Sequence, residues 1–351
     1  MNTFEVLKKL SEAPGVAGNE SGVSQIVAEE FKKYVDELRT DALGNVIGLK
    51  KGTGPSSRRI MLAAHMDEIG LMVSEIEKGF IRFTTVGGID DRILLGQEVI
   101  VHGLKPLPGI IASKPPHLLS PEERKKVTPK DQLFVDVGLP EEEVKALVRV
   151  GDFISFAAKC VRLQGDMASG KAFDDRASVA ALVCCLEHLS QMKHRWDVYA
   201  VATSQEEMGL RGAVVSAYGI APDLAIAIDV GFGDSPGLSD AETIKVGKGP
   251  AIAIGPNFHP ALREALVKIA QELEIPYQTE AIPGPSGTDA WAIQVSREGV
   301  PTALFSIPLR YMHTPVETLS LKDIERTGLL LAHFISRLEK LVVTPLGIDN
   351  G

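Results

Sequence analysis

The chain is poor in cysteine, in aromatic residues and in net positive charge, and each shortage closes off a class of protein. Its three cysteines, Cys160, Cys184 and Cys185, include an adjacent pair inside an apolar helix-like run, a poor arrangement for a disulfide framework. All three are expected as buried thiols. Tryptophan occurs twice, at Trp196 and Trp291, within an aromatic content of 5%, which leaves few ring platforms for a carbohydrate substrate. Lysine and arginine number 37 against 46 acidic residues, a formal charge of −9 without a basic stripe, so nucleic acid is not expected as a partner. No apolar stretch approaches the length that spans a bilayer, and residues 1–10 lack the apolar region and cleavage site of a signal peptide. A soluble, cytoplasmic protein without a membrane partner is therefore expected. Internal repeats and low-complexity tracts are absent as well.

What is present is enough apolar material for two cores: 351 residues, 44% of them hydrophobic. Two opening helices are expected, one with Phe4, Leu7 and Leu10 on a face and one with Val27, Phe31, Tyr34 and Val35. Residues 45–50 and 59–64 read as strands, the second apolar throughout as in a strand buried on both faces. From about residue 70 to 165 the texture changes to short β-like pieces between glycines and prolines, with a proline-rich, charged, mobile loop at 114–130. This is read as a small all-β domain inserted into the other. A βα rhythm then resumes: helix 177–189, strands 197–203 and 224–228, helix 261–273, strand 302–307, and a closing helix 321–341 with Ser320 and Asp323 in capping-box spacing. The expected fold class is α/β, a mixed open sheet flanked by helices (residues 1–69 and 165–351), with an inserted β-barrel-like domain at 70–164.

Five residues of metal-binding type each follow an apolar run. They are His65 in IMLAAHMDEIG, Asp174 in KAFDDRAS, Glu207 in TSQEEMGLRG, Asp229 in LAIAIDVG and His313 in SIPLRYMHTP. Two histidines and three carboxylates can hold two divalent ions if one carboxylate bridges, and such a clamp lets water attack an amide at neutral pH. Any one of these segments alone would read as a surface pair, a helix-start charge or a turn; together they read as a site. Strand alternation puts Asp67 on the face of His65, placed to accept the hydrogen bond of the imidazole nitrogen that holds no metal. Asp174 is assigned to the bridge and Asp175 to orientation or local hydrogen bonding, with the reverse order also open. Of the neighbouring glutamates, Glu207 is taken as a ligand and Glu206 as the base that collects the proton of water and passes it to the leaving amine. Histidine and carboxylate donors suit Zn²⁺, Co²⁺ and Mn²⁺ comparably; two divalent ions are expected, Zn²⁺ or Co²⁺ foremost, with Mn²⁺ as an alternative.

The segments AAHMDEIG, KAFDDRAS, QEEMGLRGA, AIDVG, SGTDA and RYMHTPVE, in this order, closely resemble the M42 family of metallo-aminopeptidases. That family includes deblocking, glutamyl and leucyl aminopeptidases of the tetrahedral type, and some relatives labelled endoglucanases. The resemblance implies a zinc-peptidase-like catalytic domain, an insert that builds dimers, and a hollow dodecamer acting on peptides with a free amino terminus. It implies ligands His65, Asp174, Glu207, Asp229 and His313, the base Glu206, the orienting acid Asp67, and a cis bond between Asp174 and Asp175. One departure is Ser286, which stands where the family's Gly-Gly-Thr-Asp/Asn-Ala loop has its first glycine. Three rivals remain on sequence: a metallo-deacylase or carboxypeptidase of the M20 type, a glycoside hydrolase, and a non-enzymatic assembly protein with a relic site.

Overall fold

The computed structural model describes residues 1–54 and 58–338, and the backbone of two short paired strands beyond them. The chain opens with α1 (Thr3–Glu12) and α2 (Ser21–Phe31), then β1 (Glu37–Thr40), β2 (Val46–Lys50) and β3 (Arg59–His65). Six strands follow and close a barrel in the order β4-β5-β8-β7-β6-β9: β4 (Gly70–Glu77), β5 (Phe80–Val86), β6 (Glu98–His102), β7 (Pro106–Ala112), β8 (Phe134–Asp136) and β9 (Phe153–Phe156). Strands β10 (Val161–Arg162) and β11 (Met167–Gly170) lead back to the main sheet and α4 (Phe173–Leu189). The rest alternates: β12 (Asp197–Thr203), α5 (Arg211–Ile220), β13 (Leu224–Phe232), β14 (Ala251–Ile254), α6 (Pro260–Glu272), β15 (Gln278–Ala281), α7 (Asp289–Gln294), β16 (Thr302–Arg310), β17 (Glu317–Ser320) and α8 (Leu321–Arg337). The terminal pair is β18 (Val342–Thr344) and β19 (Gly347–Asp349).

The main sheet runs β1-β2-β12-β3-β13-β16-β17-β11-β10, with β14 on β16 and β15 on β14. Its centre, β12, β3, β13 and β16, is parallel; the flanks bring antiparallel pairs. The continuous apolar runs of the central strands are explained by burial on both faces. Alternation sorts them: Ile60, Leu62 and Ala64 of β3 face the core shared with α1, α2, α4 and α8, whereas Met61 and Ala63 face the core shared with α5 and α7. Each buried Leu or Ile contributes roughly 1.5–3 kcal/mol. Anchored in this way, the strands can carry polar residues at their carboxyl ends.

The mixed open sheet and the inserted barrel agree with the sequence reading, and the structure refines several elements. The barrel gains β4, which the sequence reading did not single out as a strand, and it carries a helix, α3 (Glu141–Leu147), where only strands were expected. Val144 of α3 and the following Val148 join the barrel core. The 114–130 segment forms three single 3₁₀ turns, tied to the barrel by the Lys130 N–H on Asp91 Oδ2 at 3.0 Å. Ser320 makes no capping bond; Asp323 instead accepts the N–H groups of Gly247 (2.6 Å) and Gly249 (2.8 Å), because a loop with unpaired donors lies against it. The expected end of the closing helix, 339–341, falls outside the described residues. No described helix is long and apolar enough to cross a membrane. All three cysteines are buried free thiols.

Candidate metal centre

The carboxyl ends of the parallel strands deliver the predicted residues to one place. His65 is the last residue of β3, in register with Thr203 at the end of β12, and Glu206 and Glu207 follow in the next turn. Asp229 lies within β13, which continues four residues past the apolar run 224–228, to Phe232, instead of stopping there. His313 sits in the turn between β16 and β17 with φ of +61°, a left-handed conformation held by its backbone N–H on Glu317 Oε1 at 2.9 Å. Asp174 and Asp175 open α4 but are not helical themselves, and the peptide between them is cis, as the resemblance implied.

The oxygens of Asp174 are divided between the two histidines. Oδ1 is 3.0 Å from His65 Nε2, and Oδ2 is 3.3 Å from His313 Nε2. His313 Nε2 also lies 3.2 Å from Glu207 Oε1. Three overlapping groups place candidate ligand atoms within 4.8 Å of one another: His65, Glu206 and Glu207; His65, Asp175 and Asp229; Asp174, Glu207 and His313. All five expected ligands thus converge. Asp175, expected only to orient, also shares one of these groups, and its Oδ2 accepts the His65 N–H at 3.2 Å.

Asp67 is fully buried, and its role in the structure differs from a simple imidazole partner. Its carboxylate accepts the backbone N–H groups of Glu206 (3.0 Å) and Glu207 (3.1 Å). That leaves Oδ1 3.6 Å from His65 Nδ1, while the nearer acceptor for this nitrogen is the Asp67 carbonyl at 3.2 Å. Two groups escaped the sequence reading. Glu317 accepts the N–H groups of Phe173 (2.7 Å) and Asp174 (3.1 Å) on one oxygen and that of His313 on the other, joining two distant turns. Its signal was present in the motif RYMHTPVE, four residues after His313. Gly88, between the barrel strands, offers its carbonyl to His313 Nδ1 at 2.7 Å; nothing local in the sequence announces that contact.

Electrostatics favour a cation at this cluster. Burial pushes Glu206 up to about 10, with Asp229, Asp289 and Asp174 adding to the rise. Burial, then the mutual proximity of Asp175 and Asp229, raises Asp175 well above the ordinary carboxylate range, and burial does the same for Asp229. Asp174 is the exception: burial works against it, yet the hydrogen bonds of His313 and His65 hold it well below that range. Burial opposes protonation of His313, but Asp174 and Glu207 lift it to about 11. Asp175 Oδ1 is buried without a partner. Crowded acids, an orphaned carboxylate oxygen and imidazole nitrogens make a donor set that fits divalent ions, which would offset the repulsion.

Residues 44–330 match the family described as M42 glutamyl aminopeptidase. A lysyl aminopeptidase of Pyrococcus furiosus is 38% identical over 353 residues, covering 98% of this chain and 100% of that protein. The chain belongs to the M42 family. Among solved structures, an aminopeptidase of the archaeon Desulfurococcus kamchatkensis is 44% identical, with coverage of 95% and 94% of the two chains and a TM-score of 0.89. The TET1 peptidase of Pyrococcus horikoshii, which can assemble into a tetrahedron or a large octahedral shell, is 36% identical, with coverage of 95% and 99% and a TM-score of 0.84. As an M42 member the protein is a peptidase, a hydrolase of the aminopeptidase class.

Proposed function

We propose that this M42 peptidase removes amino-terminal residues from peptides using two divalent ions, Zn²⁺ or Co²⁺ foremost and Mn²⁺ as an alternative. Asp174 would be shared between the two ions, with His65 and Asp229 available to hold one and Glu207 and His313 the other. The reading rests above all on Asp174, whose two oxygens are split between His65 and His313. When bound, the ions supply Lewis-acid chemistry, polarising a carbonyl and making water acidic enough to lose a proton near neutral pH.

The chain's own carboxylates do the rest. Glu206 takes the proton from the attacking water and returns it to the nitrogen of the leaving amine. Burial among these acids pushes its carboxyl up to about 10, and positive charge beside it would bring it down toward the working range. Asp67 positions both glutamates through their backbone N–H groups, so base and ligand point apart from one turn.

Residues 1–69 and 165–351 are assigned to the catalytic domain and 70–164 to the insert, which builds dimers and, through them, a dodecamer. The tetrahedral assembly of the Pyrococcus horikoshii relative supports that step. The decisive experiment is Glu206→Gln, assayed for bound metal and for hydrolysis of aminoacyl-p-nitroanilides. Full metal content with turnover lost by a factor of about 10²–10⁴ is expected. Equal loss of metal would contradict the division of labour between Glu206 and Glu207, and shortening of a peptide from its carboxyl end would favour the M20-type alternative.

A further inference from the structure

Resting on the aminopeptidase reading above, we propose that a cavity beside β13 receives the side chain of the residue to be removed and that Glu280 selects a basic one, lysine or arginine. The cavity measures about 600 Å³ and is walled by Phe232, Leu238 and Ile244, with Glu280 among the residues facing it. Its lining includes no lysine, arginine or histidine.

Its position follows from the sheet. Asp229 on β13 is in register with Ser306 on β16, so the two side chains share a face on strands about 4.8 Å apart. The Ser306 hydroxyl donates to Glu280 Oε2 at 2.5 Å, which brings a carboxylate from β15 to the strand beside a proposed metal ligand. Gly231, two residues beyond Asp229 and on its face, leaves the room. A Cβ there would lie 2.9 Å from Ile244 Cδ1, 3.0 Å from Ser306 Cβ and 3.2 Å from Glu280 Oε1. The strand that carries Asp229 therefore passes directly over the carboxylate.

Apolar side chains and a carboxylate in one lining match a side chain that has a methylene stem and a cationic head. Glu280 is suited to receive that head, because the Ser306 hydroxyl is its one polar partner among the described residues and no basic side chain neutralises it. The other two acids of the lining contribute less: Asp240 is exposed and has Lys245 3.9 Å away, and Glu242 is occupied by Ser239. An acidic substrate side chain would meet like charge in the same place.

The test uses the full chain loaded with Co²⁺ or Zn²⁺ and the p-nitroanilides of lysine, arginine, norleucine, leucine and glutamate. Norleucine keeps the stem of lysine and lacks its charge. A kcat/KM for lysine above that for norleucine by on the order of 10–100-fold, with glutamate slowest, is the expected result. Glu280→Gln should shrink the lysine-to-norleucine ratio to within about threefold. The wild-type comparison stands alone if that variant does not fold. Turnover with norleucine equal to or faster than lysine, or an unchanged ratio in folded Glu280→Gln, overturns the assignment of the cavity and leaves the aminopeptidase reading intact. No turnover on any member of the panel with metal bound overturns both.

Discussion

Asp67 Oδ1 accepts the backbone N–H of Glu206 at 3.0 Å, so the residue two positions beyond His65 also sets where the proposed base begins. One buried carboxylate thereby connects the end of β3 with the turn after β12. In Asp67→Asn the amide can keep one of the two N–H donors and must turn its own NH₂ toward the other. The variant is expected to retain most of its metal and to lose kcat by roughly 10–100-fold. Metal analysis beside steady-state kinetics checks this, and loss of metal in proportion to activity would argue against a positioning role.

Glu317 ties the turn of His313 to the start of α4 through three N–H groups. Glu317→Gln presents donors to donors on one side. A drop in stability of about 1–3 kcal/mol and a 10–100-fold weaker metal affinity are expected. Denaturant melts of the apo-protein and metal titrations separate the two effects; wild-type affinity in this variant would show that His313 and Asp174 hold their places without it.

The contact of Gly88 with His313 joins the barrel to the site. A Cβ at Gly88 would stand 3.1 Å from His313 Nδ1 and 3.3 Å from Cε1, tighter than ordinary packing. Gly88→Ala should therefore displace the imidazole and weaken binding of one ion more than the other. Isothermal titration would then resolve two unequal affinities where the wild type shows closer ones. A variant indistinguishable from wild type would mean that the 87–88 turn yields freely.

Metal binding should strengthen as pH rises. Burial holds Glu206 at about 10, and it raises Asp175, Glu207 and Asp229 as well, so an entering ion must displace protons. The same shifts bear on stability without metal. A carboxyl whose folded value is raised stabilises fully below its unfolded value, about 4.5 for Glu206, and that contribution is lost as pH climbs through about 10. Tm of chelated protein should accordingly fall from pH 5 to 9 relative to the metal-loaded form, by about several degrees. A constant gap between the two curves over that interval would contradict the electrostatic account.

The strands were legible because their signal is local. The apolar runs ending at His65 and before Asp229, and the segment 197–203, needed nothing beyond their own side chains, since a strand buried on both faces is apolar along most of its length. The ligand types could also be read, because a carboxylate or imidazole at the end of such a run is costly unless it meets a partner. Local pattern misled where a partner lay elsewhere: Asp323 has capping-box spacing, but two glycine N–H groups more than 70 residues away take it.

The linear order of residues thus determined the parallel core, the inserted β region and the kinds of donor at the strand ends, all consequences of burial and periodicity within a few turns of chain. Tertiary structure alone decided how those donors divide. It set Asp174 between His65 and His313, gave Asp67 to the glutamate turn, and brought Gly88 to His313 across a separation of 225 residues. The physical reason is one of range: a hydrophobic period is written in neighbours, whereas a hydrogen bond needs two atoms within about 3 Å, and only the packed sheet brings distant turns that close.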